Sequence, residues 1–225
     1  MRELRLWGAA AVIALISTAA AANVVVVKSL GPSAKSYPPG KTLPETAKIS
    51  LQGGDVVTVI GPSSAQTLRG PGNFDAKQVA LASAAGQRGR FGALRAVDVA
   101  HNPSIWDVDA TAGGKVCVAD PAKLQVWRAD SEAPITVQIR SADGKSQSLT
   151  WAAGKALAPW PTALPVKSGA EYSLEWPDGG DANKLDVVMI PSPPSDLVGA
   201  AQVLLENGCQ KQLDLLVESA SKSAK

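Results

Sequence analysis

Gly40, Lys41 and Thr42, at the end of GPSAKSYPPGKT, repeat the closing residues of a phosphate-binding loop. Such a loop needs a glycine five positions earlier and a helix that starts at the lysine, so that amide groups and helix dipole face the phosphates. Position 35 is a lysine, and LPETAKISLQGG then brings Pro44 and a strand pattern. No nucleotide is expected here. His101 is the only histidine and sits in HNPS, a turn sequence, so a Ser-His-Asp site or an activated cysteine has little to draw on. Asp107 and Asp109 in WDVDA alternate along a strand and share a face. A glycosidase or a calcium site could use that arrangement, and so could a solvated strand edge. DGGD at 178–181 reads as a glycine-rich acidic hairpin, a calcium candidate or otherwise a plain turn. With one histidine and two cysteines, a metal site of the usual kind is not expected, and neither is a cofactor.

The elements that must position these residues begin after an apolar segment. Residues 1–22, MRELRLWGAAAVIALISTAAAA, have Arg2 and Arg5, an uncharged run and a small-residue end at Ala22. That is the layout of a signal peptide with cleavage after Ala22. A retained membrane anchor is the alternative, because no charge appears from Leu6 to Val27. In the oxidising surroundings that export implies, Cys117 and Cys209 are read first as a disulfide and otherwise as two separate buried thiols.

The chain carries 20 Gly and 16 Pro, and six Trp against two Tyr and two Phe, which points to a turn-rich, mostly β protein. A net charge of +2 without strong clustering gives no reason to expect nucleic acid. Strand patterns cover 24–28, 47–51, 56–60 and 66–69, separated by QGGD, GPSS and GPG. Asp75 is placed to cap a short helix over 76–85, ended by Gly86. QRGRFGALRAV follows, where Arg88, Arg90 and Arg95 form the one local basic cluster, either a docking site for an acidic partner or a solvated linker.

From 105 to 190 the alternation is cleaner. Ile135, Val137 and Ile139 oppose Thr136, Gln138 and Arg140, and Tyr172, Leu174 and Trp176 oppose Glu171, Ser173 and Glu175. SADGKS at 141–146 is an Asp-Gly hairpin signal. Most of the Trp in this region are expected in the core; Trp160, in APWP, is the candidate for an exposed binding surface. After PSPPS a helical period takes over. Ser195 or Asp196 caps a helix over 197–207, Gly208 stops it, and a second helix runs from Cys209 to about Ser219 before a fraying end. Cys209 is placed to fasten this tail to the strand of Cys117.

Two stretches resemble known families. VVVVKSLGPSAKSYPPGKTLPETAKISLQGGDVVTVIGPSSAQTLRGPGNF resembles a FecR-type domain, through its opening valine strand, the Gly-x-x-Leu at Gly40 to Leu43, an Ala-x-Ile-x-Leu strand, Gly-Asp before an apolar strand and a closing Gly-Pro-Gly. The resemblance implies a periplasmic all-β module that senses or relays signals and is not an enzyme. With five residues ahead of the apolar run, the cytoplasmic sigma-factor segment of the transmembrane members is expected to be absent. LPVKSGAEYSLEW at 164–176 resembles the Leu-x-x-Gly-x-x-Tyr-x-Leu stretch of immunoglobulin-like and fibronectin-like sandwiches. That resemblance gives Gly169 and Tyr172 structural roles, with the Tyr172 hydroxyl returning to the backbone upstream.

The combined expectation is a mainly β chain of two small β-sandwich or roll domains with a C-terminal helical hairpin. Its parts would be a signal peptide (1–22), a FecR-like domain (23–75), an Ala/Arg-rich linker with a short helix (76–103), an immunoglobulin-like sandwich (104–191) and a helical tail (192–225). The expected function is non-catalytic: an exported sensor or adaptor that binds another envelope or membrane protein. The alternative is a carbohydrate or peptidoglycan binder or hydrolase using Trp160 with Asp107 and Asp109.

Overall fold

Four consecutive valines open the first strand, β1 (Val24–Leu30), and all four are buried. A strand buried on both faces must be covered on both faces, and the computed structural model, which describes residues 23–81 and 102–222, supplies two covers. Val24 and Val26 face an N-terminal core with Leu43, Ile49, Val57 and Val59. Val25 and Val27 face a different core, built largely from the C-terminal helices.

β1 is the second strand of a four-stranded sheet of order β2-β1-β4-β5, where β2 is Thr42–Leu43, β4 is Val56–Ile60 and β5 is Ala65–Arg69. A two-stranded sheet of β3 (Lys48–Leu51) and β6 (Gly72–Asp75) and a short helix α1 (Ala76–Leu81) close the N-terminal core. Ala76, Val79 and Ala80 of α1 are buried there, so the expected linker begins inside the first unit rather than outside it. Gly40, Lys41 and Thr42 lead into β2, with no helix after them. Leu43 is buried, while Lys41 is exposed and donates to Ser36 O at 2.7 Å.

Asp55 is the polar centre of this unit. It is fully buried, and its carboxylate accepts the backbone N–H groups of Ser33 (2.9 Å) and Gln52 (2.6 Å). Gly31 lies against it at φ 103°, and a Cβ there would fall 2.5 Å from Asp55 Oδ1, so neither the backbone nor the space admits another residue. Burial pushes the Asp55 pKa up, but the bonds from Ser33 and Gln52 outweigh it and hold the carboxyl below its ordinary value. A folded-state pKa below the unfolded one contributes stability above about pH 4 that is lost as pH falls through the folded value. Asp55→Asn is therefore expected to lower the melting temperature at pH 7 by about 5–10 °C and to flatten the acid limb of a Tm-against-pH series.

The second unit is a β-sandwich of a five-stranded sheet, β11-β10-β13-β14-β8, over a three-stranded one, β12-β9-β7. In chain order these are β7 (Val108–Asp109), β8 (Gly114–Val118), β9 (Gln125–Trp127), β10 (Ile135–Ser141), β11 (Ser146–Trp151), β12 (Leu157–Pro159), β13 (Glu171–Glu175) and β14 (Asn183–Met189). Val137, Ile139, Tyr172 and Leu174 face inward, as their alternation requires. The larger sheet is antiparallel except at its end, where β8 runs parallel to β14.

The aromatics serve this core. Trp151 is fully buried, donates its indole N–H to Val126 O (3.0 Å) and stacks on Trp176. Arg128, also buried, lies over the Trp151 ring and gives its guanidinium to the carbonyls of Lys155, Ala152 and Ser131. A buried cation is tolerable when carbonyl dipoles and a π face replace its water. The Tyr172 hydroxyl donates to Pro165 O (3.0 Å) and accepts from Lys167 N–H (3.1 Å). Gly169, at φ 73°, makes the preceding turn.

The C-terminal residues form a helical pair, α2 (Leu197–Asn207) and α3 (Gln210–Lys222). Asp196 caps α2 by accepting Gly199 N–H at 2.8 Å, and Gly208 ends it in the left-handed region. The hairpin is a middle layer rather than a tail. Leu204, Leu213 and Leu216 bury between Val25, Val27 and Ile60 of the first sheet and Cys117 and Ile190 of the sandwich. Part of the stretch expected to fray, 219–225, is held, since Ala220 is buried and Ser221 donates to Val217 O and Ala65 O, while residues 223–225 lie outside the described residues.

Candidate functional site

The segment from Asn102 folds on itself before entering the sandwich. Asn102 is buried, accepts Ser104 N–H and donates to Asp107 O, and Ser104 Oγ accepts Trp106 N–H. This knot aims Val108 at the core and leaves Asp107 and Asp109 on the opposite side of β7, as alternation requires. Both acids line a cleft of about 320 Å³ between the β7–β8 connection, Trp127 and one face of α3. From α3 come Lys211, Asp214 and Glu218, spaced by three and four residues and so on one face of the helix; Lys115 comes from β8.

The two acids differ in environment. Burial pushes the Asp107 pKa above its ordinary value, and the bond from Gln125 N–H (3.2 Å) only partly opposes this. Asp109 accepts the N–H (2.8 Å) and the hydroxyl (2.6 Å) of Thr111 and so closes the turn that follows β7. An acid with a raised folded-state pKa costs stability as pH rises from the unfolded pKa through the folded one. Asp107→Asn keeps the acceptor for Gln125 and removes that cost. Its melting temperature at pH 7 is expected to rise by about 1–4 °C, with no difference between the proteins at pH 3.

Beside the cleft, α3 is joined to the sandwich in two ways. Cys117 and Cys209 form a disulfide across 92 residues, with both residues fully buried. Gln212, one turn along α3, accepts Cys117 N–H (2.7 Å) through its Oε1 and donates its amide to Cys117 O (2.7 Å) and to Ile105 O. Its side chain thereby meets the edge of β8 as the backbone of a further strand would.

The chain matches no family model, no curated protein and no solved structure.

Cys117 and Cys209 are bonded, and Gly40, Gly169 and Tyr172 sit in structural turns and corners. Trp160 is a correction. It is 6 % exposed, packs edge-on against Tyr172 and donates its indole N–H to Leu164 O (2.6 Å), so no face is open for stacking a ligand. Arg88, Arg90, Arg95 and His101 lie outside the described residues. Asp107 and Asp109 share a face as expected, but of a cleft rather than a bare strand edge. DGGD at 178–181 forms a turn through Gly179 N–H to Trp176 O and Gly180 N–H to Asp178. No group of three or more His, Cys, Asp and Glu is placed to hold a metal among the described residues. Lys115, Lys211, Asp214, Gln212 and Glu218 were not foreseen. The only signal for the helical ones was their spacing on the polar side of α3, and spacing alone does not say what a helix faces.

Proposed function

We propose that this chain is an exported, non-catalytic envelope protein that works by binding another envelope or membrane protein, as a sensor or adaptor module. The observation that carries this reading is the charged cleft at the junction of the sandwich and the helical hairpin, open to solvent and bordered by a strand edge. The buried disulfide supports an oxidising compartment. The signal-peptide layout of residues 1–22 and the FecR-type resemblance of the first unit agree with a periplasmic, signal-relaying role. Crosslinking in the intact envelope, followed by mass spectrometry of the adducts, tests this. Recovery of one membrane kinase, cyclase or transporter through residues around the cleft is the expected result, and recovery of glycan alone would overturn it.

A glycan-binding or hydrolytic reading is favoured by one observation, the presence of Asp107, with its raised pKa, and Asp109 in the same cleft as Trp127. Against it, Trp127 is buried. Co-sedimentation with isolated peptidoglycan that disappears in the Asp107→Asn/Asp109→Asn protein is the result that would favour this second reading.

A further inference from the structure

Strand β9 alternates like the rest of the sandwich. Val126 points into the core beside Val108, and Trp127, paired with Asp109 of β7, takes the other face. Trp127 is 6 % exposed and yet belongs to none of the three apolar cores formed by the described residues; it lines the cleft instead.

A buried indole N–H normally has an acceptor. Trp151 gives its own to Val126 O and Trp160 to Leu164 O, both within the fold. The Trp127 N–H meets no acceptor among the described residues. It is not sealed in either, because Ser29 Oγ is the one buried side-chain polar atom among them that is both shut off from water and unpaired. The N–H therefore opens onto the void that Trp127 lines, the cleft. Two further groups of the same wall have unused capacity. Asp107 spends Oδ1 on Gln125 N–H and has Oδ2 left over, and Asn102, itself buried, gives one amide hydrogen to Asp107 O and has the other left over.

The chemistry of the occupant follows by elimination. A cation would suit Asp107 but leave the two N–H groups unmet, and no three acids converge to share a metal ion among the described residues. An anion would suit the N–H groups and the two lysines, Lys115 and Lys211, but would lie against Asp107 and Asp109. A neutral hydroxyl both donates and accepts, so neighbouring hydroxyls can take the two hydrogens and give one to the carboxylate. At about 320 Å³ the cleft is at the lower end of small-molecule sites, which span ~300–1,000 Å³.

We propose that the cleft binds a small neutral sugar, whose hydroxyls accept from Trp127 and Asn102 and donate to Asp107 Oδ2. The indole acts through its edge rather than its face, so its burial is no obstacle. The site goes beyond the protein-binding reading and needs neither a protein partner nor a hydrolytic step.

The test uses the full, isotope-labelled chain with glucose, galactose and N-acetylglucosamine as probes, read at the indole N–H signals by NMR. In the free protein the Trp127 N–H is expected to exchange with deuterium much faster than those of Trp151 and Trp160. Equal protection would show that it already has an acceptor in the fold and would overturn the site. At least one of the three sugars is expected to shift the Trp127 signal saturably while those of Trp151 and Trp160 stay in place. Trp127→Phe, which keeps a ring and removes the N–H, is expected to weaken that sugar at least tenfold by calorimetry. Should this variant fail to fold, Asp107→Asn, whose stability is expected to rise, replaces the free carboxylate oxygen by an amide and is expected to weaken the sugar about tenfold. Two charged controls of similar size, glucosamine and gluconate, are expected to bind more weakly. A control that binds as tightly as the best neutral sugar overturns the proposal, as does a Trp127 signal that none of the three sugars moves. Sugar binding without the envelope crosslink leaves this site standing and the adaptor reading fallen; the crosslink without sugar binding does the reverse.

Discussion

Replacing Cys117 and Cys209 together by alanine will lower the melting temperature by about 10–15 °C. The bond closes a loop of 92 residues, and in the chain-entropy account a loop of that size restricts the unfolded chain enough to contribute about 4–5 kcal/mol. For a chain of this length each kcal/mol moves the melting temperature by about 2–4 °C. Both sulfurs are fully buried beside Leu204 and Leu213, so alanine also leaves a small void that adds to the loss. Circular dichroism melts of the oxidised protein and the double variant measure the shift. A shift below about 3 °C would show that the closed loop does not limit the unfolded chain.

Gln212→Leu will be nearly as damaging, at about 3–5 kcal/mol, although it exchanges one buried side chain for another of similar size. Three backbone groups, the N–H and carbonyl of Cys117 and the carbonyl of Ile105, lose their partner inside an apolar layer. A stranded buried polar group costs about 1–3 kcal/mol, while the hydrophobic gain from leucine is small because the site is already dry. Urea unfolding gives the loss, and hydrogen exchange at the Cys117 amide gives its location: that amide should lose protection in the variant while Trp151 and Leu174, deep in the sandwich, keep theirs. Because Gln212 and Cys209 hold the same strand to the same helix, the triple variant should lose less than the sum of the two changes.

What could be read in the sequence divides along the range of the interactions. β4 and α2 have the bounds that their local patterns indicate, since a β-branched run between Gly-Asp and Gly-Pro and an apolar stripe between Asp196 and Gly208 carry their own start and stop signals. The Asp-Gly hairpin joining β10 and β11 and the Tyr172 hydroxyl bonds are equally local. The parallel pairing of β8 with β14 joins residues some seventy positions apart, and no turn residue announces it. The burial of Trp160 was open for a similar reason: APWP looks like a loop, and only its contacts with Tyr172 and Leu164 place the ring inside.

The cleft illustrates the limit. Asp107 and Asp109 could be found because their spacing is a strand spacing. Their neighbours on α3 could not, because the hairpin read as a tail with one apolar stripe. In fact it is covered on two sides, by the first sheet and by the sandwich, and Ser219, Ala220 and Ser221 are small enough to pack where a frayed end was expected. Small residues carry little periodicity, so the signal that separates a packed helix end from a loose one is weak.

β1 opens the described chain and α3 closes it, yet Val25 and Val27 share one core with Leu216 and Ala220. A ribosome makes these valines well before the residues of α2 and the thirteen residues of α3. Until α2 and α3 are released, that face of the first sheet lacks its helical cover and presents a valine-rich surface, the kind that other nascent chains adhere to. A version cut short before Leu197 would therefore leave that face of the first sheet without either helix even though every residue of the sheet had been made.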